Sequence, residues 1–298
     1  MHQMSATTCA PLSRRPSLLE RLLLASVPVM LIVLTLAACG SSPSTGASAQ
    51  PVKLNVFAAA SLQAAFTDIG KAFSQAHSNV TVTFNFAGSD ALATQINQGA
   101  PADVFASANA TQMNNVVTPG NIDGSAVKTM AHNRLVVIYP TANPANIQSL
   151  QDLGKSGVKV VLAANTVPVG QYAVQFLGLA AADPSFGADY KTNVLKNVVS
   201  YETDVKSVLS KVALGEADAG IVYTTDAATE TGKVGTITIP DALNVIALYP
   251  IGAVKASKQA TTAQAFVDYV LSSAGQATLA KYGFIAGSDG KQYTPPAA

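Results

Sequence analysis

The sequence predicts an α/β protein built from two lobes. Short runs rich in β-branched residues alternate with amphipathic stretches along the chain, which is typical of βαβ units and mostly parallel sheets. An N-terminal leader and a tether account for about 50 of the 298 residues, so about 250 remain to fold. That length is too great for a single five-stranded sheet, and its valine, alanine and leucine content supports a sizeable core.

The local patterns predict the elements in order. Runs of β-branched and alternating apolar residues predict strands at 54–58, 80–86, 103–106, 135–139, 159–163, 219–223 and 245–249. Apolar residues at helical spacing predict helices at 62–75, 91–98, 172–181, 205–214, 261–272 and 275–282. In such sheets ligands bind beyond the carboxyl ends of the strands, where each strand is followed by a helix N-terminus.

The first 38 residues have the pattern of a signal peptide. Three arginines form a basic region, an apolar run follows at 22–38, and small residues precede Cys39. A cysteine in that position is typical of lipoprotein processing. The glycine- and serine-rich segment 39–50 then predicts a flexible tether behind a lipidated Cys39. We therefore expect an extracytoplasmic protein held at the cell membrane by a lipid anchor.

Other interpretations of this leader stay open. One alternative is a membrane-spanning anchor. The apolar run argues against it, because the run contains a proline and is shorter than the roughly 20 residues that a span needs. A plain secretory signal does not account for the cysteine and the tether. The segment 13–15 loosely resembles a twin-arginine signal, so the export route is open between the general and the twin-arginine pathways.

Charge and cysteine content exclude several functions. Residues 1–38 hold three of the 18 Lys and Arg residues and one of the 17 Asp and Glu residues, so the remainder has a net charge of −1. Nucleic-acid binding requires a basic face, which this composition does not favour. Cys9 would be lost with the signal and Cys39 acylated, which leaves no cysteine for a disulfide or a metal site. We expect no cofactor and no direct metal ligand.

Four strand-to-helix junctions carry the candidate chemistry. Ser61 follows the first strand and Ser89 the second, and each is predicted to cap the next helix. The segments 167–172 and 201–205 open two further helices. Helix N-termini present free backbone N–H groups and favour negative charge. Any one cap can be purely structural, but four such junctions facing one another indicate an anion site.

Enzymatic readings find less support. The chain has no Gly-x-Ser-x-Gly elbow, and His77 and His132 lie outside the four junctions. Glu202 and Asp204 could form an acid and base pair. We instead expect Asp204 to cap a helix and Glu202 to be solvated.

Five segments make the sequence resemble the periplasmic molybdate-binding proteins of ABC importers. In matching order they are 56–62 (VFAAASL), 86–89 (FAGS), 98–105 (QGAPADVF), 220–223 (GIVY) and 281–284 (KYGF). The resemblance runs from about residue 53 to about residue 284. It implies a type II periplasmic binding-protein fold, in which two lobes joined by crossing strands clamp an anion. The lobes are then expected at 51–134 with 248–294, and at 135–247, with hinges near 134–137 and 247–250.

The resemblance also implies the ligand set. Molybdate or tungstate would be held by neutral donors, the hydroxyl and backbone groups of Ser61 and Ser89, the backbone N–H of Val169 and Val205, and the hydroxyl of Tyr223. Two departures from the family pattern bear on this site. Val169 stands where alanine is familiar and could narrow the cleft, and a carboxylate at Asp90 would repel a dianion unless it points outward. Tyr223 can also be read as an ordinary core tyrosine.

The implied partners are the permease and ATPase subunits of an importer, with the receptor itself expected to be a monomer. A receptor for another oxyanion such as sulfate is the nearest alternative. A secreted enzyme that uses Ser61 or Ser89 as a nucleophile is a more distant one.

Overall fold

The computed structural model describes residues 50–296. The predicted signal peptide and Cys39 lie outside the described residues, as does all of the predicted tether except residue 50. The strands are β1 Val52–Ala59, β2 Val80–Ala87, β3 Val104–Ala106, β4 Lys128–Asn133, β5 Leu135–Pro140, β6 Val160–Ala163, β7 Val198–Glu202, β8 Ala219–Tyr223, β9 Val234–Thr238, β10 Ala247–Ala253 and β11 Ile285–Ala286. The helices are α1 Gln63–Ala76, α2 Ser89–Asn97, α3 Ala110–Val117, α4 Pro168–Ala182, α5 Tyr190–Lys196, α6 Val205–Ala213, α7 Thr224–Ala227, α8 Ala260–Leu271 and α9 Ser273–Lys281.

The strands form two sheets, in agreement with the predicted two-lobed α/β fold. Lobe I contains a six-stranded sheet in the order β11-β4-β10-β3-β1-β2, and lobe II a five-stranded sheet in the order β7-β6-β8-β5-β9. The chain enters lobe II through the single residue between β4 and β5, and it returns between β9 and β10. No helix within residues 50–296 is both long enough and apolar enough to cross a membrane.

The prediction of mostly parallel sheets is wrong, because each sheet is mixed. β1 pairs in parallel with β2 and β3, whereas β10 runs antiparallel to β3 and β4. In lobe II, β6 is parallel to β7 and β8, whereas β5 is antiparallel to β8 and β9. The antiparallel pairs arise where strands follow a crossing between lobes, a long-range connection that local alternation does not reveal.

The amphipathic helices bury one face against each sheet. In α1 the buried residues Phe66, Ile69 and Phe73 recur at spacings of three and four, which places them on one side of the helix. Phe66 and Phe73 each pack edge-on against Phe266 of α8, with ring centroids 6.1 and 5.3 Å apart. This packing fixes the start of α1, and therefore the end of β1, against the rest of lobe I.

A buried carboxylate supports the turn Leu150–Gly154 of lobe II. Burial by itself raises the pKa of Asp152, but hydrogen bonds from Lys155 and from the backbone of Gln148 and Ser149 outweigh it and lower the pKa to about 2. A lowered pKa in the folded state adds stability above pH 3.8, and this stability is lost as the pH falls through about 2.

Replacing this carboxylate should therefore cost stability in a pH-dependent way. We expect Asp152→Asn to lower the free energy of unfolding by about 2 kcal/mol at pH 7, with the difference shrinking below about pH 4. Urea unfolding at pH 7 and pH 3 measures it. Asp183→Asn, on an exposed turn, is the control with a small effect. A loss for Asp152→Asn that is equal at both pH values would contradict the assigned role.

Candidate functional site

Five residues from four strand-to-helix junctions and one strand end line a single cavity between the lobes. Ser61 lies in the short 3-10 helix after β1, and Ser89 is the first residue of α2. Val169 is the second residue of α4, Val205 the first of α6, and Tyr223 the last of β8. The structure thus brings together every residue that the sequence singled out for the anion.

The cavity is small and almost free of charge. The volume open to the centre of a water-sized sphere is about 20 Å³, whereas about 10–15 Å³ suffices for one water molecule. Asp204 is the one charged side chain among the lining residues, which are otherwise small, apolar or hydroxyl-bearing. The cavity therefore suits one small solute held by neutral groups.

The prediction that both serines cap helices is wrong. Gly88, not Ser89, is the N-cap of α2, and Ser61 lies inside its 3-10 helix. Their hydroxyls bond elsewhere, since Ser61 Oγ is 3.0 Å from Tyr249 Oη and Ser89 Oγ accepts the N–H of Ala108 at 3.0 Å. Neither hydroxyl caps a helix, so both are available to bond to a solute in the cavity.

The first turns of α4 and α6 provide backbone donors. Helix α4 begins with Pro168, and none of the described side chains caps it, so the N–H of Val169 faces the cavity without an intrahelical partner. Helix α6 is capped as predicted, since Asp204 accepts from the N–H of Lys206 and Ser207. That cap leaves the N–H of Val205, one residue earlier, for a ligand.

Tyr223 combines the two roles considered for it. The side chain is 1% exposed and packs within the core, yet it also lines the cavity. Its hydroxyl has no hydrogen-bond partner anywhere in the described part of the chain. Burial above all, together with neighbouring ionisable groups such as Tyr249, raises the pKa of Tyr223 well above its usual value. The hydroxyl therefore keeps its proton and can donate it to a buried acceptor.

The two departures from the family pattern have different positions. The side chain of Val169 is 1% exposed and lines the cavity. Asp90 is not among the lining residues, and its Oδ1 lies beside Gly88, 2.6 Å from where a Cβ there would stand. The carboxylate is therefore not directed into the cavity.

The expectation that Glu202 is solvated is wrong. Its carboxylate is 12% exposed and pairs with Lys211 Nζ at 2.6 Å. Ser200 donates a further hydrogen bond to the same oxygen. These bonds lower the pKa of Glu202 against the effect of burial, which raises it. The pair stabilises the end of β7 and does not serve as acid and base with Asp204.

The lobes are held together across the cleft by contacts that sequence reasoning missed. Asn109 Nδ2 donates to Gln171 Oε1 and Gln112 Nε2 donates to the carbonyl of Thr166, each at 2.8 Å. Asn109 is also the N-cap of α3 and accepts from the N–H of Gln112. The pattern Asn-x-x-Gln at 109–112 is a helix-start signal that could have located α3 and both donors.

Neither of the two histidines within residues 50–296 pairs with the serines. The ring nitrogens of His132 lie 3.2 and 2.8 Å from the carbonyl oxygens of Ala286 and Lys291, and His77 Nδ1 is 3.0 Å from the carbonyl of Phe73. No group of three or more His, Cys, Asp or Glu side chains in residues 50–296 is arranged to hold a metal ion.

Two α/β lobes with crossing strands, closed over a cavity of converging neutral donors, define a solute-binding protein of the type II periplasmic fold. The sequence comparison agrees with this class. The chain belongs to the family of bacterial extracellular solute-binding proteins, whose family model matches residues 54–285. Members of this family bind solutes, so the protein is a binding protein and not an enzyme.

Particular relatives refine the comparison. The chain is 39% identical over 258 residues to the molybdate-binding protein ModA of Mycobacterium tuberculosis strain H37Rv, with 85% of this chain and 94% of that protein covered. Among solved structures, a periplasmic molybdate-binding protein of Azotobacter vinelandii matches with a TM-score of 0.67 at 19% identity, covering 78% of this chain and 98% of that one.

A receptor for another anion has the same fold. The sulfate-binding protein SubI of M. tuberculosis H37Rv matches with a TM-score of 0.69 at 18% identity, covering 78% of this chain and 86% of that one. At these identities the structural matches show the fold alone.

Proposed function

We propose that the protein is the extracytoplasmic receptor of an ABC importer and that it captures molybdate or tungstate. One observation carries the proposal. Two serine hydroxyls, a tyrosine hydroxyl and the N–H groups of two helix starts converge on one small cavity without a cationic side chain. Such donors bind a dehydrated dianion well, because hydrogen bonds to a charged acceptor are about twice as strong as neutral ones.

The same site disfavours phosphate. Near neutral pH phosphate keeps a proton and needs an acceptor, whereas molybdate, tungstate and sulfate only accept. Asp204 is the one carboxylate at the cavity, and both of its oxygens already accept bonds from the start of α6. The described lining residues therefore offer a ligand proton no carboxylate that is free of other bonds.

Molybdate is favoured over sulfate by the 39% identical relative named for molybdate binding. Sulfate is the second candidate, since its receptors share the fold and it too is a pure acceptor. Molybdate and tungstate are tetrahedral dianions of nearly one size, and the proposal covers both.

Anchoring and delivery complete the proposal. Family membership supports an extracytoplasmic location. The apolar run 22–38, the small residues before Cys39 and the tether support processing to a lipoprotein held at the cell membrane. A monomer that closes on its ligand would then present the closed lobes to the permease, which works with an ATPase subunit.

Isothermal titration calorimetry of the protein with molybdate, tungstate, sulfate and phosphate tests the proposal. We expect tight binding of molybdate and tungstate, with weak or no binding of sulfate and phosphate. Tight sulfate binding with no response to molybdate would refute it. Metal analysis of the protein as purified is an independent check for bound molybdenum or tungsten.

Ser89→Ala should weaken molybdate binding about 10- to 100-fold, because a hydrogen bond to a charged group contributes about 1.5–3 kcal/mol. The measurement is the dissociation constant from calorimetry. Ser210→Ala, on the exposed side of α6, is the matched control and should bind like the wild type. Equal affinity of all three proteins would remove Ser89 from the site.

A further inference from the structure

A buried tyrosine lies directly behind one of the two cavity serines. Tyr249 of β10 is wholly buried and is not among the cavity-lining residues. Its hydroxyl lies 3.0 Å from Ser61 Oγ, and 3.5 Å from Asn133 Nδ2 at the end of β4. Burial raises the pKa of Tyr249 well above its usual value. The hydroxyl therefore keeps its hydrogen, which needs a hydrogen-bond acceptor.

The direction of the bonds follows from Asn133. The backbone N–H of Arg134 can only donate, and it donates to Asn133 Oδ1 at 2.9 Å. The amide orientation is thereby fixed, and Nδ2 faces Thr225 Oγ1 at 2.8 Å and the oxygen of Tyr249. An amide NH₂ has no acceptor capacity, so the tyrosine oxygen accepts from it.

The hydroxyl of Tyr249 therefore donates its hydrogen bond to Ser61. Of the two hydrogen bonds that this hydroxyl makes to described residues, the one with Asn133 Nδ2 is received, so the one with Ser61 Oγ is donated. The neighbouring Tyr223 hydroxyl makes no bond of acceptable geometry to it. Because Ser61 Oγ accepts from the tyrosine, its own hydrogen is left to point towards the cavity.

Ser89 is arranged in the same way by a backbone group. The N–H of Ala108, which can only donate, occupies an acceptor position of Ser89 Oγ. Both cavity serines thus receive a hydrogen bond from the protein, and both present a donor to whatever occupies the cavity. Each serine oxygen has then used one of its two lone pairs, and the hydrogen that it directs to the cavity favours a ligand oxygen without a hydrogen of its own.

We propose that Tyr249, oriented by Asn133, is a positioning residue that makes Ser61 an obligatory donor and so excludes protonated oxyanions such as hydrogen phosphate. The proposal rests on the proposed function and assigns part of its selectivity to a side chain outside the cavity. Without the tyrosine hydroxyl, Ser61 can rotate and accept a proton from the ligand.

Tyr249→Phe removes this hydroxyl and little else. The ring can keep its edge-on packing against Tyr223 and Phe284, whose centroids lie 5.8 and 5.5 Å away. We expect a several-fold loss of molybdate affinity at pH 7 by calorimetry, and stronger competition by millimolar phosphate for the molybdate site than in the wild type. Both effects should vanish in the Ser61→Ala background, because the tyrosine acts through that serine.

Tyr172→Phe is the matched control. This buried hydroxyl belongs to the same tyrosine cluster, but it accepts from the N–H of Leu248 and bonds to neither serine. It should leave competition by phosphate unchanged, even if both affinities shift together.

Three results overturn the proposal: unchanged phosphate competition in Tyr249→Phe, equal effects of Tyr249→Phe with and without the Ser61 hydroxyl, or a Tyr172→Phe phenotype that matches Tyr249→Phe. Each of these leaves molybdate binding by the wild type intact. Absence of molybdate binding by the wild type would instead refute the proposed function, and the proposal with it.

Discussion

Gly88→Ala should weaken molybdate binding by at least about a thousandfold. A Cβ at Gly88 of lobe I would overlap the carbonyl oxygen of Thr203 in lobe II, so the lobes could not close. An open cleft loses the donors of lobe II, which are Val169 N–H, Val205 N–H and the Tyr223 hydroxyl. Three hydrogen bonds to a charged ligand contribute at least about 4 kcal/mol, which corresponds to that factor.

Gly88→Ala should impair closure of the lobes without lowering the stability of the ligand-free protein. Gly88 has φ −57° and ψ 137°, a conformation open to alanine. Within lobe I the new Cβ would meet only Asp90 Oδ1, the end of a side chain that can move aside, so the ligand-free protein should unfold at nearly the wild-type temperature. Gly178→Ala is the control, since a Cβ at that half-buried helix position has only Lys191 Nζ nearby, at 3.9 Å. Calorimetry and thermal unfolding of both variants decide the matter. Wild-type affinity in Gly88→Ala would show that the lobes bind ligand without this close approach.

Lys206→Met should lower the free energy of unfolding by about 3–5 kcal/mol at pH 7. Asp226 is wholly buried, and Lys206 Nζ lies 2.9 Å from its Oδ1. Apart from Lys206, no hydrogen-bond donor in residues 50–296 satisfies either carboxylate oxygen. Removal of the lysine would leave a buried charge without a counter-charge.

The loss of unfolding free energy in Lys206→Met should grow as the pH rises from 4 to 7. Burial raises the pKa of Asp226 above 3.8, and Lys206 opposes the rise. A raised folded-state pKa gives stability that is present below pH 3.8 and lost as the pH rises through the folded-state value. Removal of Lys206 raises that pKa further, so the deficit should be small near pH 4 and largest at neutral pH.

Urea unfolding of matched variants checks this result. Lys233→Met breaks an exposed pair with Glu230 and should change stability by less than about 0.5 kcal/mol. Lys206→Met combined with Asp226→Asn should recover much of the loss. Equal deficits for the two lysine variants would mean that the buried pair contributes no more than a surface one.

The sequence was a good guide to elements whose signal is local. All seven predicted strands and six predicted helices are present with shifted ends, because apolar periodicity determines which face of each is buried. Elements such as β4 (KTMAHN) and α3 (ATQMNNVV) were missed, since polar residues interrupt their apolar pattern. Strand direction was misjudged because it depends on where the chain crosses between lobes.

In the site, too, local features could be predicted and long-range contacts could not. The junctions that hold Ser61 and Ser89 could be located, because strand ends and helix starts leave local signals. What their hydroxyls do could not be predicted, since Ser61 and Tyr249 are 188 positions apart and Ser89 bonds to a backbone group of another junction. Partners of Glu202 were missed for a related reason, as Lys211 lies on a different element.

The absence of cationic side chains from the described lining of the cavity has a consequence for the effect of salt on binding. Receptors that rely on arginine or lysine attract anions over long distances, and dissolved salt screens that attraction. Here the donors are hydroxyl and amide groups that act at contact range. If the protein binds an oxyanion as proposed, its affinity should therefore change little between low and high ionic strength.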